Sequence, residues 1–252
     1  MCPDVPSNLL VLCGVVLMGN NPPSLNVTVQ TPGSEGLSHD MRIPAGLAGS
    51  IASAREAQTA LGVCGSEQVS LHQLARLIEQ LQRVTREAES LATGRDPADL
   101  TAHLTPNSWS VAECLDHLTQ TTRAFLPSLT DAVAAAPRLG TSRALRTGIF
   151  AGLFIRNLEP PYRIRLKVLP QLMPKNHEFD PAWCDFAKSQ MQLSETIFSA
   201  TGLAIDKVKI KSPVYARFSY NVYGAFRMLV AHESRHLWQI RQILAEIDRR
   251  RS

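Results

Sequence analysis

Apolar residues recur at intervals of three and four along four separate stretches of the chain, which is the spacing of one face of an α-helix. The first stretch follows Ser70 and Gln73, whose separation is that of a helix-capping box, and it ends at Gly94 and Asp96-Pro97. Its apolar face is formed by Leu71, Leu74, Leu77, Ile78, Leu81, Val84, Ala88 and Leu91. This pattern predicts a helix of about six turns.

The second stretch begins at Ser110 and Glu113, which again have capping-box spacing and directly follow Trp109. Its inner face is formed by Val111, Cys114, Leu115, Leu118, Thr122, Phe125 and Leu129. Pro127 falls inside this stretch and predicts a kink, because proline lacks the N–H group that a helix interior requires.

The third and fourth stretches occupy the last third of the chain. The third opens at Asp180-Pro181, because Asp can cap a helix and Pro suits its first turn, and it closes at Gly202. The fourth follows Pro213. The faces are formed by Trp183, Phe186, Gln190, Leu193 and Ile197 in the third, and by Val222, Phe226, Leu229, Glu233, His236, Leu237, Ile240, Ile243, Leu244 and Ile247 in the fourth.

Four amphipathic helices bury their apolar faces most economically against one another, so we predict an all-α fold built as a four-helix bundle. Residues 137–179, between the second and third helices, form a connection that is long for a bundle loop. Within it, the apolar stretch Ile149–Ile155 predicts a short helix, and the acidic residues are Glu159 and Glu178. We call this segment the basic connection and expect it to be an ordered flap. Its basic residues are Arg138, Arg143, Arg146, Arg156, Arg163, Arg165, Lys167 and Lys175.

Residues 1–65 differ in composition from the rest of the chain. They hold eight of the fourteen glycines and six of the sixteen prolines, and all fifteen aromatic residues lie between Trp109 and Trp238. We therefore interpret residues 1–65 as a low-order N-terminal extension or the product of an upstream start codon, and residues 66–252 as the bundle domain.

The overall composition excludes several classes of protein. The five cysteines are scattered without a CxxC pair, which argues against a disulfide framework and a cysteine-type zinc module. The longest apolar run, Leu9–Met18, is too short to span a bilayer, and no basic residue precedes it as a secretory signal requires. The net charge of +4 is too small to indicate nucleic-acid binding by itself. We expect a reduced, cytoplasmic protein that binds neither membrane nor nucleic acid.

Three histidines carry the candidate chemistry. His232 and His236 are four residues apart on the fourth helix, which places both rings on one face, as two ligands of one metal ion require. Spacing alone leaves open the alternative of two buried imidazoles paired with carboxylates or water. His117 lies at the edge of the inner face of the second helix, so a bundle can bring it to the other two. Three imidazoles with a fourth position open describe a reactive metal site.

The sequence His232-Glu-Ser-Arg-His236 also matches the HExxH pattern of zinc proteases, with Glu233 as the general base. The longer metzincin pattern requires glycine at position 239 and histidine at position 242, where this chain has Gln239 and Gln242. We interpret the match as accidental, because no third protease ligand follows.

The segment Trp109-Ser-Val-Ala-Glu-Cys-Leu-Asp-His117-Leu and the later segment Ala231-His232-Glu-Ser-Arg-His236-Leu-Trp238-Gln239-Ile240 together resemble the DinB-like superfamily of bacterial metalloenzymes. The resemblance covers about residues 68–248. It implies an up-down-down-up bundle with a long connection between helices two and three. It also implies that His117, His232 and His236 bind a divalent metal ion, zinc or nickel, between which imidazole ligands do not discriminate.

The resemblance further implies thiol chemistry, because some proteins of this kind transfer or rearrange low-molecular-weight thiols such as bacillithiol or mycothiol. A metal ion with three neutral ligands keeps its charge and can bind a thiol as the thiolate. Asp116, Glu233 and Gln239 are candidates for supporting the ligands, and Cys114 is a candidate fourth ligand or a buried apolar residue. The catalytic acid–base residues stay unassigned.

We therefore predict a metal-dependent transferase that acts on a small, anionic substrate, with a homodimer as one assembly that an apolar outer face would permit. A hydrolase that activates water at the same site is the alternative within enzymes. A non-catalytic binding or stress-response module is the alternative outside them. The basic connection has two interpretations, recognition of carboxylates by arginine or a solvated surface. The tail Arg249–Arg251 is expected to be frayed.

Overall fold

The computed structural model describes residues 67–140, 143–160, 162, 168–215 and 217–252, and the side chains from residue 69 onwards. The predicted extension, residues 1–65, lies outside the described residues. The described part is mostly helical, as predicted. Its α-helices are α1 (Glu67–Ala92), α2 (Pro97–Thr101), α3 (Val111–Ala134), α4 (Ile149–Leu158), α5 (Phe179–Ser199) and α6 (Val222–Arg251). A 3-10 turn spans Pro170–Leu172, and a two-stranded sheet consists of β1 (Lys209–Lys211) and β2 (Ser219–Asn221).

The four long helices pack against one another through their apolar faces. Helices α1 and α3 each contact both α5 and α6, and α4 packs against α6. The apolar side chains form two separate cores along the helices, one centred on Phe125, Leu193 and Phe226 and the other on Leu115 and Phe186. Such burial is the main stabilising contribution to a helical domain.

Buried polar side chains separate these two cores. Along each of α3, α5 and α6, they fall between the residues of one core and those of the other. We call this set the polar layer. Its members include His117, Thr122, Ser189, Gln190, Glu233 and His236. Buried polar groups destabilise a core unless they are hydrogen-bonded or bind an ion, so this layer is a candidate functional site.

Local capping signals explain where helix α3 begins. The hydroxyl of Ser110 accepts a hydrogen bond from the backbone N–H of Glu113 at 3.2 Å, and the Glu113 carboxylate accepts one from the Ser110 N–H at 2.9 Å. The predicted capping box is therefore confirmed. The helix continues through Pro127 to Ala134.

The corresponding prediction for the first helix was wrong. Helix α1 already includes Glu67, so Ser70 lies inside it. The Gln73 side chain instead pairs with the backbone of Leu145, accepting from its N–H at 2.7 Å and donating to its carbonyl at 3.2 Å. The Gln73 side chain therefore pairs with a residue distant in sequence and does not cap the helix.

The start of helix α5 also differs from prediction, whereas helix α6 begins at Val222, the first residue of its predicted apolar face. Helix α5 is capped by Glu178, which places Asp180 in its first turn, where a negative charge interacts favourably with the helix dipole. Helix α6 is capped by Asn221, whose side-chain oxygen accepts a hydrogen bond from the N–H of Gly224 at 2.7 Å. The small hairpin before α6, in which Ile210 pairs with Tyr220, was not predicted.

The basic connection contains the short helix that the sequence predicted, α4, which packs against α6. The absence of a side chain at Gly224 permits this approach, because a Cβ there would lie 2.4 Å from the carbonyl oxygen of Thr147. A bidentate ion pair between Arg143 and Asp206, with N···O distances of 2.5 and 2.8 Å, ties the connection to the segment after α5. Arg138, Arg146, Arg156 and Lys175 are exposed.

The C-terminal arginines are not frayed, contrary to expectation. Helix α6 continues to Arg251, whose guanidinium pairs with both carboxylate oxygens of Asp99. Arg250 donates to the carbonyl of Leu104 at 3.2 Å. Within the described part of the chain, none of the helices has the length and apolarity that crossing a bilayer would require.

Candidate metal centre

The structure brings His117, His232 and His236 together inside the polar layer. The Nε2 atom of His232 lies 3.3 Å from Nε2 of His117 and 3.2 Å from Nε2 of His236. One ring nitrogen from each of the three residues lies within 4.8 Å of the other two. The donors thus come from two helices, α3 and α6, and meet at one point.

The two Nε2–Nε2 separations that involve His232, 3.3 and 3.2 Å, match the coordination of a divalent ion. Zn–N bonds of about 2.0–2.1 Å in tetrahedral geometry separate two ligand nitrogens by about 3.3–3.4 Å. Hydrogen bonding alone does not explain the cluster, because one proton on His232 cannot bond well to both neighbouring nitrogens. The three-histidine cluster therefore fits a divalent metal site, and its imidazole ligands suit zinc and nickel equally.

A backbone carbonyl fixes the orientation of His117. The Nδ1 atom of His117 donates to the carbonyl oxygen of Leu172 at 2.7 Å, so the proton of the neutral ring is on Nδ1. The lone pair of Nε2 is then directed at the other two imidazoles. Such a second hydrogen bond is what metal-binding histidines generally require for a defined tautomer and ring orientation.

The indole of Trp109 packs against two of the three rings. Its centroid is 4.8 Å from that of His117, with tilted planes, and 5.9 Å from that of His236, with planes 22° apart. Trp109 directly precedes the capping box at Ser110, so the start of α3 also positions this ring. Aromatic packing of this kind restricts the orientations that the two imidazoles can adopt.

Burial keeps the three imidazoles neutral. It is the main cause that lowers the pKa of His117, although the Leu172 carbonyl and the charge of Asp116 act in the opposite direction. Burial, followed by the charges of His117 and Arg235, lowers the pKa of His232 to about 3. The pKa of His236 also lies well below its ordinary value, again mainly through burial. Neutral imidazole is the form that binds a metal ion, so the site is ready for one at neutral pH.

Gln239 is one of the three candidates for supporting the ligands. It lines the same cavity as the histidines, and its side chain opposes the lowering of the His236 pKa. The buried Nδ1 atom of His236 has no partner with hydrogen-bond geometry in the described part of the chain.

Asp116 contacts the segment that follows the 3-10 turn. Its carboxylate accepts a hydrogen bond from the backbone N–H of Lys175 at 2.7 Å. This bond ties the segment that directly follows the 3-10 turn to α3, and the turn itself supplies the Leu172 carbonyl that orients His117. Asp116 is buried and is not part of the cavity lining in the described chain.

Glu233 pairs with α5. One carboxylate oxygen accepts a hydrogen bond from the side-chain amide of Gln190 at 2.9 Å. Burial raises the pKa of Glu233 to about 8, against the hydrogen bonds from Gln190 and Thr122. Glu233 does not line the cavity in the described structure, which agrees with the interpretation of the HExxH match as accidental.

Cys114 lies away from the histidine cluster. Its side chain is fully buried in the apolar core that also contains Leu115 and Phe186. Burial also raises the pKa of its thiol, which opposes the thiolate form that binds metals. The structure therefore favours the interpretation of Cys114 as a buried apolar residue.

Two of the remaining described histidines, His103 and His177, have partners outside the cluster, and His72 is exposed. His177 contacts the Glu113 carboxylate at 2.7 Å, and His103 contacts the carbonyl of Ser108 at 2.6 Å. Neither residue joins the cluster. His39 lies outside the described residues.

The histidines open into a cavity of about 920 Å³. Its walls come from α3, α4, α6, the 3-10 turn and the hairpin region, and they are mostly aromatic and aliphatic. Arg235 is the one charged side chain other than the histidines in the lining that the structure describes. A groove of similar volume, about 930 Å³, lies between α3 and α5, but no histidine lines it.

Sequence reasoning missed several residues of this site. Arg235 is three residues after His232 on the same helix, so helical spacing alone places it on the cavity side. Gln190 was noticeable as a polar residue in an apolar face. The Leu172 carbonyl carries no signal in the sequence, because every residue has a backbone carbonyl.

Comparisons with known proteins agree with the geometry. The model of the DinB superfamily matches residues 80–240, a range that contains all three histidines, Trp109 and the basic connection. No curated protein and no solved structure matches the chain.

Proposed function

This chain belongs to the DinB superfamily, and we propose that it is a metal-dependent enzyme in which His117, His232 and His236 hold a zinc or nickel ion. We propose further that it is a transferase that uses a low-molecular-weight thiol. The observation that carries the proposal is the pair of Nε2–Nε2 distances, 3.3 and 3.2 Å, among three neutral imidazoles, of which His117 and His236 are buried and His232 is half-buried. We also propose that its helices form an up-down-down-up four-helix bundle and that the protein is cytoplasmic.

The residues around the site contribute to the proposed reaction in different ways. A bound divalent ion would supply Lewis acidity, which favours the thiolate form of a thiol at neutral pH. Leu172 and Trp109 hold the imidazole rings in place through a hydrogen bond and ring packing. The apolar walls exclude water, which strengthens electrostatic interactions at the reacting centre and limits hydrolysis.

Transfer is favoured over hydrolysis by what lines the cavity. In the described part of the chain no Asp or Glu faces it, so a carboxylate general base for activating water is missing there. A thiol bound as thiolate needs no such base, because its proton is lost on binding. A purely structural site is disfavoured for a different reason: the cluster opens into a large cavity, whereas structural metal sites are closed.

Metal analysis of the purified protein tests the central claim. The wild type should bind about one equivalent of zinc or nickel, and His232→Ala should lose most of it. His177→Ala is the matched control, because that histidine is exposed and pairs with Glu113 outside the cluster. Negligible metal in all three proteins after reconstitution would refute the proposal.

Chelation distinguishes an enzyme from a structural site. Removal of a catalytic ion should leave the helical circular-dichroism signal in place, because the apolar cores do not depend on the ion. A structural ion should instead cause unfolding when it is removed. Thiol transfer is then measured by mass spectrometry as a new C–S bond between a supplied thiol and an alkyl halide, with halide released and the thiol proton passing to solvent. No acceleration with any thiol would contradict the transferase assignment.

A further inference from the structure

Three buried polar atoms of the polar layer have no hydrogen-bond partner in the described part of the chain. They are Oε1 of Gln190, Oε2 of Glu233 and Nδ1 of His236. The three residues are at most 7% exposed, so bulk solvent does not reach these atoms. Buried polar groups in proteins are almost always hydrogen-bonded, so three unpaired ones in one layer indicate a site that a further molecule completes.

The three atoms belong to neighbouring side chains. One oxygen of Glu233 accepts a hydrogen bond from Nε2 of Gln190 at 2.9 Å, so the two unpaired oxygens are the remaining oxygens of this bonded pair. His236 follows Glu233 by three residues on α6, and residues with this spacing are neighbours on a helix surface, with Cβ atoms about 5–6 Å apart. The polar layer therefore brings the three unpaired atoms into one small region of the bundle.

The three unpaired atoms are complementary to a water molecule. Nε2 of His236 lies 3.2 Å from Nε2 of His232 and faces the metal position, so the proton of the neutral ring is on Nδ1, which is a donor. The side-chain oxygen of Gln190 is an acceptor, and Oε2 of Glu233 accepts as the carboxylate or donates as the acid. A water molecule both donates and accepts, and buried waters typically make about three hydrogen bonds to polar groups that have no other partner.

We infer that one ordered water molecule binds among Nδ1 of His236, Oε2 of Glu233 and Oε1 of Gln190, and that Glu233 and Gln190 thereby position His236. The inference rests on the proposed function, because it takes His236 as a metal ligand. A hydrogen bond on Nδ1 fixes the tautomer and the ring orientation in which Nε2 faces the ion, as the Leu172 carbonyl does for His117. Glu233 and Gln190 are positioning residues, since neither lines the cavity in the described structure.

Gln239 is the competing partner for Nδ1 of His236. It lies three residues after His236 on α6, and its side chain interacts with the imidazole. Gln239 lines the open cavity, however, whereas Nδ1 is buried and has no partner of hydrogen-bond geometry in the described chain. We therefore assign Nδ1 to the side of the ring that faces Glu233, and the two assignments predict different effects of substitution.

High-resolution crystal structures of the full chain, metal-free and zinc-loaded, test the water directly. We expect density for one water within about 2.5–3.2 Å of all three atoms. The nitrogen-15 NMR shifts of the His236 ring should place its proton on Nδ1. The inference is overturned if Glu233 and Gln190 bond directly through both pairs of atoms with no water between them, or if Nδ1 bonds to Gln239 instead.

Zinc affinity, titrated against a competing chelator, tests the positioning role. Glu233→Leu should weaken zinc binding about 10- to 100-fold, whereas Glu233→Gln keeps polar atoms for the water and should retain most of the affinity. Gln239→Leu should cause a smaller loss than Glu233→Leu. Ser189→Ala is the matched control, because Ser189 is equally buried beside Gln190 but its hydroxyl donates to the Phe186 carbonyl of its own helix at 2.8 Å. Circular dichroism confirms that each variant is folded, and the wild-type crystal structures keep the test valid if Glu233→Leu unfolds.

A failure of this inference is distinguishable from a failure of the proposed function. If the wild type binds no metal, the proposed function fails, and the metal-free crystal structure alone decides whether the water is present. If the wild type binds zinc and folded Glu233→Leu binds it as tightly as Ser189→Ala does, the positioning role is overturned while the metal site stands. A larger loss in Gln239→Leu than in Glu233→Leu overturns it as well.

Discussion

Replacing Asp116 with alanine should weaken metal binding, although Asp116 is not a member of the histidine cluster. Its carboxylate accepts a hydrogen bond from the Lys175 N–H at 2.7 Å, and three residues earlier the Leu172 carbonyl accepts one from His117 at 2.7 Å. Loss of the first bond releases the segment that makes the second. The ring of His117 then loses its fixed tautomer and orientation.

The size of the effect follows from the bond that is removed. A hydrogen bond to a buried carboxylate contributes about 1.5–3 kcal/mol. Since about 1.4 kcal/mol corresponds to a tenfold change in affinity, full transmission of this energy to the metal site would weaken binding about 10- to 150-fold. Loss of groups that orient metal ligands typically weakens binding about 10- to 100-fold. We therefore expect a decrease in that range for Asp116→Ala.

Competition with a chromophoric zinc chelator measures the affinity directly. Asp116→Asn retains an oxygen acceptor for the Lys175 N–H and should stay close to wild type. Asp131→Ala, at an exposed position of the same helix, controls for loss of an acidic side chain on α3. If folded Asp116→Ala binds zinc as tightly as Asp131→Ala does, the positioning role of Asp116 is refuted.

Three further predictions concern stability, each measured by chemical denaturation. Asp206→Asn should destabilise the fold by about 1–3 kcal/mol at neutral pH. Burial alone would raise the pKa of Asp206, but the hydrogen bonds from Arg143 and from the Arg146 N–H, together with the charges of Arg143 and Lys207, outweigh it and lower the pKa. The Asp206 contribution is therefore present above its unfolded pKa and lost as pH falls through the folded value. A wild-type advantage over Asp206→Asn that persists in strong acid would contradict this. Gly224→Ala should destabilise by about 1–3 kcal/mol, because its Cβ would lie 2.4 Å from a carbonyl oxygen. Gly152→Ala, with open space around it, should be neutral or slightly stabilising, so equal effects of the two substitutions would be inconsistent with the packing described. Ser110→Ala should cost about 1 kcal/mol through loss of the cap, and no change would show that the cap does not matter.

The sequence predicted those parts of the fold that depend on neighbours along the chain. Helix α3 begins where Ser110 and Glu113 indicate, because both partners of its capping box are three residues apart. Gln73 misled the prediction for α1, since its partner, Leu145, is 72 residues away. The hairpin before α6 has strands of three residues, which are too short to show an alternating pattern.

In the candidate site, too, the sequence predicted the residues that depend on local spacing and missed those that depend on distant contacts. The pair His232 and His236 is evident from helical spacing. His117 was a candidate from its place at the edge of the inner face of its helix, and the resemblance to a family supported it. Arg235 was accessible to the same spacing argument, but a charged residue on a helix is usually solvated, so the pattern did not distinguish it. The group that orients His117 is the backbone carbonyl of Leu172, and its position depends on how the basic connection folds back onto α3.

The polar layer between the two apolar cores has a consequence for how the long helices align along their axes. If α6 slid by one turn against α3 and α5, Glu233 would lose Gln190 and face leucine and phenylalanine side chains, and the imidazoles would separate. A purely apolar seam would tolerate such slippage far better, as single buried polar residues in coiled coils illustrate. We therefore expect the layer that assembles the histidines also to select one axial setting of the helices, at some expense in stability.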